Sequence, residues 1–151
     1  MIIQGGSIAN KNGSKLELYV EKMLILLGLR YEKQVKYAGI YNKTSKMDFL
    51  LTDYNIAVEV KNQTGGGSVI EKIPYAIESL EQFPSDIGIL VLGDVKAIQN
   101  LQESFWDTRG RGCYEYAKNR TKNSSSNVAV VKYSNLYEYL QNCTSELKVE
   151  A

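Results

Sequence analysis

The 151-residue sequence predicts an α/β protein, with elements in the order αβββαβ and a mixed sheet flanked by helices. Three observations predict it. Leu16, Val20, Met23, Leu24 and Leu27 recur at helical spacing. Two short apolar segments, 46–51 and 55–61, are parted by the polar Thr52-Asp53-Tyr54-Asn55, the pattern of a β-hairpin. The run Ile87-Gly88-Ile89-Leu90-Val91-Leu92 is continuously apolar, which suits a buried parallel strand.

Taken in order, Ser14 is placed to cap a first helix over residues 15–27, and Gly28 to end it. Residues 30–37 read as a strand with Tyr31, Val35 and Tyr37 available to pack, and 39–44 as a polar turn into the hairpin. A hairpin centred between Asp53 and Tyr54 pairs residues whose numbers sum to 107, so Leu51 faces Ile56 and Asp48 faces Glu59. Residues 62–68 form a glycine-rich loop. A second helix is expected over 69–82, burying Val69, Ile73, Ala76, Ile77 and Leu80; Pro74 inside it predicts a kink or a later start. Pro84-Ser85-Asp86 breaks the chain before the apolar strand. Residues 95–106 are expected to be helical, 107–127 a polar stretch holding the basic cluster and ending in a mobile loop over 122–127, 127–133 a last strand and 136–143 a last helix. No internal repeat is visible, and the length suits one domain over residues 1–151.

Composition narrows the chemistry. No apolar run approaches the ~20 residues that a membrane helix needs, and the start Met1-Ile2-Ile3-Gln4-Gly5-Gly6 lacks the regions of a signal peptide. A cytoplasmic protein is expected, with Cys113 and Cys143 as reduced thiols. There is no histidine, which excludes histidine bases, histidine metal ligands and the hydrolytic triads built on them. The net charge of +1 is unevenly spread: residues 1–46 hold eight Lys/Arg against three Glu, and residues 109–122 hold five against one. Two basic regions on a near-neutral chain fit a polyanion partner, although solvated surface charge gives the same pattern.

Asp48 and Glu59 would lie side by side in the hairpin, and strand periodicity puts Lys61 on the Glu59 face. Two adjacent carboxylates repel unless a cation lies between them, and hard divalent cations take oxygen ligands. A helix glutamate, then Asp48, then Glu59-x-Lys61 on an αβββαβ order resembles the PD-(D/E)XK nuclease superfamily, over roughly residues 14–92. Met47 stands where the naming proline would be. The stretch Gly67-Ser68, then Glu71-Lys72-Ile73-Pro74-Tyr75, is similar to a restriction-enzyme pattern that follows the catalytic lysine. The whole chain is similar to the restriction-fold homing endonucleases encoded in group I introns of cyanobacterial transfer-RNA genes.

The resemblance implies a restriction-endonuclease-like fold and Mg²⁺-dependent (or Mn²⁺-dependent) double-strand cleavage of a long DNA target. It also implies a homo-oligomer, a tetramer by that likeness, and a bacterial protein on the nucleoid when bound to DNA. A type II restriction or DNA-repair nuclease with the same site, and an inactive DNA-binding module, are the alternatives. In the implied site Asp48, Glu59 and the Val60 carbonyl hold Mg²⁺, Lys61 orients water or stabilises phosphate charge, and Glu17 assists from the helix. Glu21, one turn on, competes for that last role, and Gln63 continues the Glu59 face. For DNA, a ribbon around residues 31–50 offers Lys33, Lys36, Tyr41, Asn42, Lys43 and Lys46 to the major groove. Asn10, Lys11 and Asn12 are expected as a mobile arm, Ser68 and Lys72 at the helix start after the loop, and Arg109 and Arg111 in a short flexible basic segment. Lys118 and Arg120 are expected on phosphates or in solvent. Residues 93–151 are then additions for DNA contact and oligomerisation, while Phe105 and Trp106 belong to the core or a subunit interface.

Overall fold

The computed structural model describes residues 5–65, 69–123 and 125–150, with side chains over 13–65, 69–123 and 125–145. The chain runs through helix α1 (Gly5–Leu26), strands β1 (Tyr31–Ala38), β2 (Thr44–Leu51) and β3 (Ile56–Asn62), and helix α2 (Val69–Gln82). Strand β4 (Ile87–Gly93), helices α3 (Val95–Asn100) and α4 (Arg111–Thr121), strand β5 (Val128–Lys132) and helix α5 (Tyr133–Glu150) follow. The strands form one sheet in chain order. β1, β2 and β3 pair antiparallel, while β3, β4 and β5 pair parallel. This is the mixed α/β sheet with flanking helices that the sequence predicts, consistent with a restriction-endonuclease-like fold.

Each face of the sheet has its own apolar layer. Leu16, Val20 and Leu24 of α1 and Leu136 and Leu140 of α5 pack with Phe49, Val58, Ile89 and Val91. On the other face Ile73, Ile77 and Leu80 of α2 and Ala117 of α4 pack with Ala57, Leu90, Leu92 and Trp106. Interior strand β4 therefore supplies both layers, and this is why its sequence is apolar without alternation. Among the described residues no helix is long and apolar enough to cross a membrane.

The hairpin register is the expected one: Phe49↔Val58, Leu50↔Ala57 and Leu51↔Ile56. Its turn closes with Asn55 at φ +53, a left-handed conformation that asparagine tolerates better than most residues. Gly28, at φ +70, ends α1 as expected. Its N–H donates to the Ile25 carbonyl and that of Leu29 to the Leu24 carbonyl, the bond pair of a Schellman motif.

Several boundaries differ from expectation. Ser14 is no cap, because α1 begins at Gly5; Asn10, Lys11 and Asn12 lie within that helix instead of a mobile arm. Helix α2 starts at Val69 with no delay for Pro74. The ring deprives only the Ile70 carbonyl of its helical partner, and Ile70 is exposed to water. The expected helix over 95–106 stops at Asn100, since Leu101 turns left-handed with φ +53. Asp94 explains the return: one carboxylate oxygen caps α3 through Ala97 N–H, and the other accepts from Phe105 N–H. A single 3₁₀ turn, Phe105–Asp107, then buries Phe105 and Trp106 in the core. The polar stretch 107–127, in which the sequence places no element, holds helix α4 at Arg111–Thr121.

Candidate active site

Asp48 sits where β2 and β3 part. The ladder between them ends at Phe49↔Val58, so Asp48 and Glu59 are not a ladder pair. Instead Asp48 Oδ2 accepts the Val60 N–H at 2.8 Å, and Oδ1 accepts from Gln34 Nε2 at 3.3 Å. Its side chain still touches Glu59, with which it shares a hydrogen bond. Both residues are buried, at 8 % and 9 % exposure. Glu17 approaches Asp48 from α1 and shares a hydrogen bond with it as well. Three carboxylates thus meet around Asp48.

The electrostatics follow from that crowding. Burial, reinforced by the neighbouring Asp48, raises the Glu17 carboxyl from 4.5 to about 7, against the pull of Lys33 and Lys61. Glu59 is pushed well above the ordinary carboxylate value, first by burial and then by Asp48, with Lys61 opposing. Lys61 is therefore close enough to act on both glutamates. Glu21, the rival helix carboxylate, is engaged elsewhere: Tyr31 Oη donates to it at 2.7 Å and Lys33 Nζ at 3.1 Å. Those bonds hold it below its ordinary value.

The donor chemistry fits a hard divalent cation. Two buried carboxylates lie in contact, and a cation held between them would relieve the repulsion. Among the described residues no three acidic or thiol side chains form a metal cage by themselves. Asp48, Glu59 and the Val60 carbonyl would be a sparse set, the kind that suits Mg²⁺, which keeps several waters and binds phosphate.

Other expected residues are scattered. Gln63 is buried just beyond β3; its amide donates to the Gly65 carbonyl and its N–H to the Gly93 carbonyl at 3.0 Å. Lys36 and Lys46 are exposed and stand directly opposite each other across β1 and β2. Asn42, at φ +58, makes the turn beside exposed Tyr41 and Lys43. Tyr41 stacks on Tyr75 of α2 with ring centroids 6.3 Å apart. Lys72 is exposed on α2, while Ser68 and the Lys11 side chain lie outside the described residues. Arg109 lies over the Phe105 ring at 5.7 Å, and Arg111 opens α4 paired with Glu115 at 3.3 Å. Within the 109–112 segment Gly110 is the N-cap of α4, and Arg111 and Gly112 form its first turn. Lys118 lies 5.9 Å above the Tyr114 ring. Arg120 is committed to Glu81 through bonds of 3.0 and 2.8 Å that tie α4 to α2.

Sequence reasoning missed Gln34 and Tyr37. The latter is half-buried near Glu59 and Asp48, and burial raises its phenol. Pairing β1 with β2 about the 39–43 turn would have revealed Gln34, since that register sets it opposite Asp48.

No curated protein and no solved structure matches the chain. Residues 8–136 match the PD-(D/E)XK nuclease superfamily domain, a span that takes in α1, the hairpin, Lys61 and β4. With most of its length inside that match, the chain belongs to the PD-(D/E)XK nuclease superfamily.

Proposed function

We propose that this nuclease is a Mg²⁺-dependent, site-specific DNA endonuclease of the intron-homing kind, hydrolysing phosphodiesters in both strands of a long target. The observation that carries the nucleolytic reading is the meeting of Glu17, Glu59 and Lys61 around Asp48. A divalent cation held by Asp48, Glu59 and the Val60 carbonyl would supply a nucleophile at neutral pH and offset charge on the leaving oxygen. Lys61 contributes a positive charge aimed at the same place, where it orients the attacking water and stabilises charge growing on the phosphate. Glu17 steadies Asp48 from the helix side. The buried floor of the site keeps these charges in a medium where they act more strongly than in water.

DNA as the partner is supported by the surface. Lys36 and Lys46 face each other across strands, an arrangement that costs stability unless an anion lies over it. Lys43 and Asn42 continue that surface around the turn. The homing specificity and a tetrameric assembly rest on the whole-chain likeness, with residues 93–151 supplying DNA contact and self-association. Cleavage of exon-junction DNA in Mg²⁺ by wild type and Lys61→Ala tests the site. The variant is expected to lose about 100-fold or more in rate; equal cleavage by both proteins sinks the assignment. A footprint well beyond ten base pairs with tolerated mismatches marks homing, whereas a short strict site marks restriction.

A further inference from the structure

We infer that Gln34 is a positioning residue for the Asp48 carboxylate, and that its left-handed backbone is the device that brings its amide there. Gln34 lies inside β1 at φ +52. A non-glycine residue seldom holds that conformation within a strand, and such outliers persist where the surroundings over-determine them. The β1–β2 ladder steps from Lys33↔Phe49 to Val35↔Met47, leaving Gln34 and Asp48 out while keeping one register on both sides. No residue has been inserted. What changes is the face.

Before Gln34, Tyr31 and Lys33 reach Glu21 on α1; after it, Val35 and Tyr37 pack into the α2 layer. The partner strand does the same. Phe49 and Leu51 belong to the α1 layer, Met47 to the α2 layer. Ordinary strand alternation would put residues 47 and 49 on one face. The crossover falls on Asp48, and this is why one side chain meets both Glu17 from α1 and Glu59 from β3. Its two oxygens are then aimed by Gln34 Nε2 and Val60 N–H. Orienting partners of this kind hold a ligating carboxylate in one plane.

The inference deepens the proposed metal site and rests on it only for its consequence, not for the positioning. Gln34→Gly removes the amide while accepting the positive φ without strain, so its melting temperature is expected to be no lower than wild type. In metal-free protein the Val60 amide, held by Asp48, is expected to exchange hydrogen faster than in wild type, with β4 amides unchanged. Mn²⁺ titrated into the folded protein is expected to bind about tenfold more weakly to Gln34→Gly, and Gln34→Asn, which tolerates the left-handed backbone and restores an amide, to recover part of the loss. Unchanged Val60 exchange overturns the inference. So does a lowered melting temperature with faster exchange throughout the sheet, which marks a structural role. So does unchanged Mn²⁺ affinity in Gln34→Gly where Asp48→Asn weakens it. If Asp48→Asn leaves Mn²⁺ binding intact, the metal reading falls instead, and Val60 exchange alone decides for or against Gln34.

Discussion

Glu17→Gln in the cation-free protein is expected to raise stability at alkaline pH. The substitution keeps the shape of the side chain, so the packing of α1 on the sheet is unchanged and the charge alone is removed. The wild-type carboxyl is raised from 4.5 to about 7 by burial and by Asp48. The sign follows from proton uptake: between those values the folded state holds a proton that the unfolded chain has released. Stability is therefore full at low pH and is lost as pH rises through the folded value. At about 1.4 kcal/mol for each tenfold change in proton affinity, the shift corresponds to about 2.5 kcal/mol between pH 5 and pH 8.5; Glu17 is only half-buried, and solvent screening brings the widening of the gap between variant and wild type to about 2 kcal/mol. Glu59 is raised in the same direction and relaxes when Glu17 is neutral, so part of the gain is shared between them. Urea denaturation with a chelator at both pH values measures the gap. With a slope of about 2 kcal/mol per molar for a domain of this size, the variant's midpoint gains about 1 M on that of wild type between pH 5 and pH 8.5. A gap that does not widen with pH refutes the claim that Glu17 is crowded against Asp48.

The Glu81–Arg120 pair, half-buried and bidentate, ties α2 to α4, and Arg120 holds the Glu81 carboxyl below its ordinary value. Arg120→Ala is expected to lower stability by about 1 kcal/mol at pH 7 and by less near pH 4, because a lowered carboxylate contributes above its unfolded value and its contribution fades as pH falls; thermal melts at the two pH values check both parts. Gly110→Ala is expected to cost about 1–3 kcal/mol, since a Cβ there would collide with the buried Phe105 ring, and circular dichroism melts against a Gly112→Ala control, which meets nothing, check it.

How much of this was legible depended on whether local pattern and tertiary packing agreed. The hairpin was readable because apolar residues on both sides of 52–55 admit one register, and a slip by one would turn Phe49 and Val58 out of the layer under α1. Helix α4 was hidden because its packed residues are Cys113, Tyr114 and Ala117, helically spaced but weakly apolar, among arginines and lysines that read only as a polar stretch. The end of α3 was hidden for another reason: it is set by Asp94, whose second oxygen captures Phe105 N–H eleven residues on. No window over residues 95–106 contains that bond.

The site itself was legible in its membership before it was legible in its geometry. Spacing brought Asp48, Glu59 and Lys61 together through an unbroken ladder, whereas the strands part at Asp48 and the carboxylate takes the Val60 N–H that a ladder partner would have used. Regular pairing would have set Asp48 and Glu59 on one face, beyond the reach of a helix on the other. The face change at Gln34 and Asp48 removes that restriction, because a residue at a crossover is open to both layers of the sheet. Glu17 on α1 and Glu59 on the Ala57 side of β3 can then share one partner. A departure from strand regularity is thus what assembles the carboxylates, and periodicity, which reads only regular strands, has no means of announcing it.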